Sequence, residues 1–85
     1  MLIIYTKSTC PFCHKVIGFL NDRGIDFKER DVYESEHYME ELLQSGGKRQ
    51  IPYLVDTERG IVMYESDDII QYVQDTYGDN PNVGV

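Results

Sequence analysis

The chain has 85 residues, of which 41% are apolar and 27% are charged, and its formal net charge at pH 7 is −7. A chain of this length supports one hydrophobic core, and its average composition excludes disordered and fibrous proteins. The acidic excess argues against a nucleic-acid partner, because such proteins gather Lys and Arg on one face. No apolar run approaches the roughly 18 residues of a membrane-spanning helix. With no export signal visible at the N-terminus, we expect a cytoplasmic protein that makes no membrane contact.

The first half of the chain predicts two strands that alternate with two helices. An apolar, β-branched and aromatic run at Leu2–Thr6 is too short for a helix and indicates a buried strand. Apolar residues at helical spacing predict an amphipathic helix from about Pro11 to Arg23. The charged segment Phe27–Val32 indicates a strand near a sheet edge. A second helix is indicated from Ser35 to the glycine pair at 46 and 47.

The second half predicts a β-hairpin followed by a third helix. Short apolar segments at Pro52–Asp56 and Gly60–Tyr64 indicate two strands, and the short connection between them favours an antiparallel hairpin. Ser66 is expected to be the N-cap of the third helix, whose apolar residues continue at helical spacing to Tyr77. The order β-α-β-α-β-β-α predicts one α/β domain over residues 1–78, followed by a loose C-terminal tail over residues 79–85.

Two cysteines, Cys10 and Cys13, flank Pro11 and Phe12 directly after the first strand. The pair lies at the predicted N-terminus of a helix, where free N–H groups and the helix dipole favour a thiolate. Residues 1–21 also contain two lysines and no carboxylate, so the pair lies in a locally positive stretch. We therefore predict that Cys10 is the attacking thiolate. Cys13, one helical turn later on the apolar face, is predicted to resolve the mixed disulfide.

Three other interpretations of the cysteine pair are open. Together with His14, the motif matches the c-type haem attachment pattern, which normally accompanies an export signal. A zinc site needs four ligands, but only His14 and His37 remain, and His14 directly follows Cys13 instead of standing in a second paired spacing. Two buried structural cysteines are also common, although burial does not explain the spacing, the proline or the local charge. We expect both histidines to be solvated surface residues and predict no metal site.

Three motifs, taken together and in this order, resemble the glutaredoxins, a family within the thioredoxin superfamily. They are KSTCPFC over Lys7–Cys13, the Ile51-Pro52 pair that opens a strand, and ESDD over residues 65–68 at the start of the last helix. The resemblance covers roughly residues 1–77. It implies a thioredoxin-like fold, with a four-stranded mixed sheet flanked by three helices, and a cis peptide bond between Ile51 and Pro52. The Glu65-Ser66 pair also resembles the N-terminal domains of glutathione transferases.

The glutaredoxin resemblance implies a glutathione-dependent disulfide oxidoreductase that takes part in electron transport and cell redox homeostasis. It implies that a redox-active Cys10–Cys13 pair reduces protein disulfides and protein–glutathione mixed disulfides. Glutathione is then a co-substrate, no cofactor is permanently bound, and the protein acts as a monomer on disulfide-containing or glutathionylated proteins. The glutathione-binding residues implied by the resemblance are Lys7, Phe12, Gln50, Ile51, Pro52, Ser66 and Asp67. Gln50 stands where typical glutaredoxins have threonine.

Two other functions remain open at this point. The chain could be a non-redox glutathione-binding or interaction module related to transferase N-terminal domains, with the cysteine pair incidental. It could also be an iron–sulfur carrier, in which Cys10 from two chains and two glutathione molecules hold a cluster. Family members that carry clusters usually lack a proline after the first cysteine, so Pro11 makes this a minor alternative.

Overall fold

The fold is described by a computed structural model, which gives residues 1–78. Its elements are β1 (Leu2–Thr6), α1 (Pro11–Asp22), β2 (Phe27–Asp31), α2 (Glu36–Gly46), β3 (Tyr53–Asp56), β4 (Ile61–Met63) and α3 (Ser66–Val73). One π-helical turn, Gln74–Gly78, continues α3. This order confirms the predicted β-α-β-α-β-β-α arrangement. The predicted tail at residues 79–85 lies outside the described residues.

The four strands form one mixed sheet in the order β2-β1-β3-β4. β1 is parallel to β2 and antiparallel to β3, and β3 and β4 form the predicted antiparallel hairpin. The charged strand β2 lies at an edge, as its sequence predicted, because an edge strand exposes side chains to water. β1 is central and buried along its whole length.

Two apolar clusters lie on opposite faces of this sheet, because successive side chains of a strand point to opposite faces. On one face α1 and α3 pack against Leu2, Ile4 and Leu54. On the other face α2 packs against Ile3, Tyr5 and Tyr53. Helices therefore flank the sheet on both sides, and the fold is thioredoxin-like, as the resemblance implied. Among the described residues, no helix has the length and apolar character that a membrane crossing requires.

Both ends of α2 follow from the side chains in the sequence. The hydroxyl of Ser35 accepts a hydrogen bond from the N–H of His37 at 3.2 Å, which satisfies one of the free amides at the helix start. At the other end Gly47 has a φ of 86°, a left-handed conformation that glycine adopts without steric cost. The predicted helix boundaries at Ser35 and the glycine pair are confirmed.

The start of α3 differs from the prediction by one residue. Ser66 is not the N-cap but the first helical residue, and Glu65 occupies the cap position without a side-chain bond to the helix. The carbonyl of Glu65 accepts the N–H of Ile69 at 2.9 Å, and this bond closes the first turn. Ser66 is buried and lies inside the first turn, so its own N–H is one of the free amides of the helix start.

Asp56 is a fully buried carboxylate at the end of the sheet remote from the cysteines. Its Oδ2 accepts hydrogen bonds from the hydroxyls of Tyr72 (2.6 Å) and Tyr77 (2.7 Å), and its Oδ1 accepts the N–H of Glu58 at 3.1 Å. Burial alone raises the pKa of a carboxyl, but these hydrogen bonds outweigh it and hold the pKa of Asp56 below its usual value. Asp56 is therefore ionised and anchors α3 and the π-helical turn to β3.

Replacing Asp56 with Asn should lower the free energy of unfolding by about 1–3 kcal/mol, the usual cost of leaving buried hydrogen-bonding groups without good partners. At a pH above about 3.9, the pKa of this carboxyl in the unfolded chain, the ionised Asp56 contributes its full stabilisation. This contribution is lost as the pH falls through the lower pKa that Asp56 has in the folded protein. The difference in the free energy of unfolding between parent and variant should thus be largest at neutral pH and shrink below about pH 4. Urea unfolding at both pH values measures it. Asp26→Asn changes an exposed carboxylate and is the control; an equal effect of both substitutions would contradict the role of Asp56.

Candidate functional site

The cysteine pair lies where β1 ends and α1 begins. The N–H of Cys10 donates to the carbonyl of Lys7 at 3.0 Å, and the sulfur of Cys10 accepts the N–H of Cys13 at 3.2 Å. Cys10 is thus the N-cap of α1, with its sulfur at the free amides and the positive end of the helix dipole. Both cysteines are free thiols; Cys10 is partly exposed and Cys13 is fully buried. Of the two thiols, Cys10 is therefore the one that is accessible from solvent.

The buried thiol of Cys13 differs chemically from that of Cys10. Burial, together with the hydrogen bond and the charge of Cys10, raises the pKa of Cys13 to about 12. At neutral pH Cys13 therefore carries its proton. The contributions of Cys10 require a free Cys10 sulfur, so they are lost when Cys10 enters a mixed disulfide, whereas the burial remains.

The two thiols should react with iodoacetamide at different rates in single-cysteine variants. At neutral pH, Cys10 in Cys13→Ser should be alkylated at least about tenfold faster than Cys13 in Cys10→Ser, because the thiolate is the nucleophile. The rate at Cys13 should keep rising with pH well above neutrality. Mass spectrometry measures both rates, and the same reaction in concentrated urea is the control, since unfolding removes the difference in burial. Equal rates in the folded variants would contradict this assignment.

A cavity of about 300 Å³ opens at the first turn of α1 and is named here the α1–α3 cavity. Three segments form it: the first turn of α1, the segment before β3, and the N-terminus of α3. Its lining residues are Phe12, Gln50, Ile51, Pro52, Glu65, Ser66 and Asp67. The bond between Ile51 and Pro52 is cis, as the resemblance implied. The structure thus brings together six of the seven predicted glutathione-binding residues from segments that are far apart in sequence.

Lys7 is the predicted residue that does not line this cavity. Its ammonium lies 4.6 Å from the centre of the Tyr33 ring, at cation–π distance. Tyr33 is 70% exposed, so this contact lies on the surface of the protein. Lys7 is thus the predicted glutathione-binding residue that the structure places outside the lining of the cavity.

Glu65 lines the cavity although it was not among the predicted binding residues. Its carboxylate accepts a hydrogen bond from the side-chain amide of Gln50 at 3.0 Å, which joins the segment before β3 to the start of α3. Asp67, next to the buried Ser66, forms an ion pair with Lys15 of α1 at 2.8 Å. The sequence did contain a signal for Glu65, since the Glu65-Ser66 pair carries the resemblance to transferase N-terminal domains.

The lining offers groups of complementary charge to a ligand that carries both an ammonium and a carboxylate. Glu65 and Asp67 provide carboxylates, while the free amides of the first turn of α3 favour an anion. Within residues 1–78, no three His, Cys, Asp or Glu side chains come together as a metal site would require. Both histidines are exposed, as predicted. The cavity is therefore suited to a small zwitterionic ligand. Neither cysteine lines it, and Cys10 stands two positions before Phe12 of the lining.

The fold, with a cysteine pair at the N-terminus of its first helix, places this protein among the thioredoxin-fold proteins. Residues 4–81 match the glutathione S-transferase N-terminal domain family, and the chain belongs to that family. Glutaredoxin 3 of Escherichia coli (strain K12) is 33% identical over 51 residues, which are 60% of this chain. The match covers 61% of the glutaredoxin, so the chain spans about three fifths of the length of the curated relative it matches.

Two solved structures share the fold of this chain. A glutathione S-transferase from the Antarctic clam Laternula elliptica is 31% identical, with a TM-score of 0.74 over 89% of this chain and 35% of that chain. A thioredoxin-like protein is 25% identical, with a TM-score of 0.76 over 88% of this chain and 97% of that chain. The resemblance to both glutaredoxins and transferase N-terminal domains is confirmed. The glutaredoxin relatives support a thiol oxidoreductase role for the cysteine pair.

Proposed function

We propose that this protein is a glutathione-dependent disulfide oxidoreductase that reduces protein–glutathione mixed disulfides and protein disulfides. The observation that carries the proposal is the partly exposed Cys10 sulfur at the N-cap of α1, in the same turn as Phe12 of the α1–α3 cavity. A reactive thiol and a cavity for a small zwitterion are the two requirements of such a reaction. The glutaredoxin relatives support this function.

In the first half of the reaction, the Cys10 thiolate attacks the glutathione sulfur of a mixed disulfide. A bond forms between the Cys10 sulfur and the glutathione sulfur as the bond to the substrate protein breaks, and the substrate leaves as a thiolate that takes up a proton from water. The thiolate of a second glutathione then attacks the glutathione sulfur bound to Cys10. Glutathione disulfide is released and the Cys10 thiolate is regenerated.

The cavity holds glutathione through its two ends. The γ-glutamyl ammonium pairs with the carboxylates of Glu65 and Asp67, and the α-carboxylate accepts hydrogen bonds from the free amides at Ser66 and Asp67. The backbone of Ile51 pairs with the cysteinyl part of the tripeptide. Lys7 and Gln50 meet the glycyl carboxylate. Each contact orients the glutathione sulfur towards Cys10, which lowers the entropy cost of the exchange.

Protein disulfides are reduced by a second route that uses Cys13. The substrate first forms a mixed disulfide with Cys10, and the Cys13 thiolate then attacks the Cys10 sulfur, so that the substrate leaves as a dithiol and a Cys10–Cys13 disulfide remains. Two glutathione molecules return that disulfide to the dithiol. Because burial keeps Cys13 protonated at neutral pH, the attack by Cys13 speeds up as the pH rises.

A non-redox glutathione-binding module is the second candidate, and the match to the transferase N-terminal domain family favours it. Both candidates bind glutathione, but only the oxidoreductase turns over a disulfide. A coupled assay separates them: NADPH and glutathione reductase report the glutathione disulfide formed from a small glutathione mixed disulfide. Turnover that depends on Cys10 supports the oxidoreductase, whereas glutathione binding without turnover supports the module.

The two cysteines should differ in how far each substrate type depends on them. Cys13→Ser should keep most of the activity on a glutathionylated protein, because glutathione itself resolves that intermediate, and should lose more on a protein disulfide, because an intramolecular thiol has a far higher effective concentration. Cys10→Ser should abolish both reactions. Initial rates of both variants on both substrates test this. Equal loss from either substitution on the glutathionylated substrate would falsify the glutathione-resolved route.

A further inference from the structure

We propose that Tyr64 is a positioning residue that sets the distance between the two walls of the α1–α3 cavity and thereby determines its affinity for glutathione. One wall is the segment Gln50–Pro52 and the other begins at Glu65. Tyr64 directly precedes the second wall and does not line the cavity. This inference rests on the proposed function and goes beyond it. Tyr64 does not line the cavity, so it affects the affinity for glutathione without contacting the ligand.

The hydroxyl of Tyr64 bonds both backbone polar groups of one residue in the loop that leads to the first wall. It accepts the N–H of Lys48 at 2.9 Å and donates to the carbonyl of Lys48 at 3.1 Å. Lys48 stands two positions before Gln50, in a loop that lies between α2 and β3 and forms no strand or helix of its own. A single side chain thus uses its donor and its acceptor to fix the backbone of this loop.

The ring of Tyr64 is itself held in place by Tyr53 and by the end of α2. Its centre lies 4.6 Å from that of Tyr53, which is fully buried, and the hydroxyl of Tyr53 shares a hydrogen bond with Ser45 at 2.6 Å. Gly46 leaves no room for a side chain beside these two rings, since a Cβ there would lie 2.7 Å from Cζ of Tyr64 and 2.9 Å from the ring of Tyr53. The C-terminal end of α2 therefore packs directly on the Tyr64 ring.

These contacts make Tyr64 the packed link between the two walls. The direct bond between Gln50 and Glu65 and the two bonds of the Tyr64 hydroxyl to Lys48 are all exposed to water. Only the Tyr64 bonds start from a ring that is packed against Tyr53 and Gly46. A ligand that touches both walls, such as glutathione, depends on their separation. A small reductant such as dithiothreitol attacks the oxidised enzyme without bridging the walls, so its reaction does not depend on Tyr64.

The test compares Tyr64→Phe with the parent protein, using glutathione and dithiothreitol as alternative reductants. The variant keeps the ring and loses only the hydroxyl. We expect the KM for glutathione to rise about three- to tenfold, the effect of losing one or two hydrogen bonds. The kcat and the rate with dithiothreitol should stay within about twofold of the parent. Amide hydrogen exchange should also become faster at Lys48 in the absence of any ligand.

Tyr72→Phe is the matched control, because it removes a tyrosine hydroxyl from the Asp56 cluster at the remote end of the sheet. It should lower thermal stability and leave the KM for glutathione unchanged. The proposal is overturned if Tyr64→Phe leaves the KM unchanged, if its dithiothreitol rate falls in parallel, or if Tyr72→Phe raises the KM equally. A parent protein without glutathione-dependent turnover would refute the proposed function instead, and exchange at Lys48 would still decide whether Tyr64 fixes the loop.

Discussion

The burial of β1 on both faces is the constraint on which the rest of the structure depends. Leu2 and Ile4 face α1 and α3, while Ile3 and Tyr5 face α2, so this strand has one register and one position in the sheet. Its end at Thr6 then fixes where the chain leaves the sheet and where α1 starts. The N-terminus of α1, and with it the sulfur of Cys10, is placed by packing that lies entirely outside the site.

The same topology brings the cavity to that end of the sheet. β3 is antiparallel to β1, and Tyr53 at its start lies opposite Tyr5 near the end of β1. The Ile51-Pro52 bond directly precedes β3 and therefore arrives beside the first turn of α1. The hairpin formed by β3 and β4 then returns the chain to the same end, where α3 begins. Three segments far apart in sequence meet because the strand directions require it.

The sequence predicted the parts of this structure that depend on local pattern. The apolar run of β1, the charge of β2 and the glycine pair after α2 each reflect a local requirement, and each element formed where it was expected. The spacing of the two cysteines and their place before a helix likewise predicted which thiol is accessible. The accessibility of each thiol depends only on where β1 ends and where α1 begins, and both positions follow from the local sequence.

Other features could not be predicted, because they depend on contacts between distant segments. The position of the Lys7 side chain depends on Tyr33, 26 positions later, and the ionised state of Asp56 depends on the hydroxyls of Tyr72 and Tyr77. The start of α3 lies one residue earlier than predicted, with Ser66 as the first helical residue. Periodicity does not contain this information.

The third helix shows how the fold serves the site. Its C-terminal part and the following turn are anchored to Asp56 by two tyrosine hydroxyls, and its N-terminal end is joined to α1 by the ion pair between Asp67 and Lys15. A helix fixed at both ends presents its free N-terminal amides in one orientation. Because a ligand loses less affinity when its site is already ordered, the packing of α3 on α1 prepares these amides for an anion, whereas the Asp56 cluster stabilises the fold at the opposite end of the sheet.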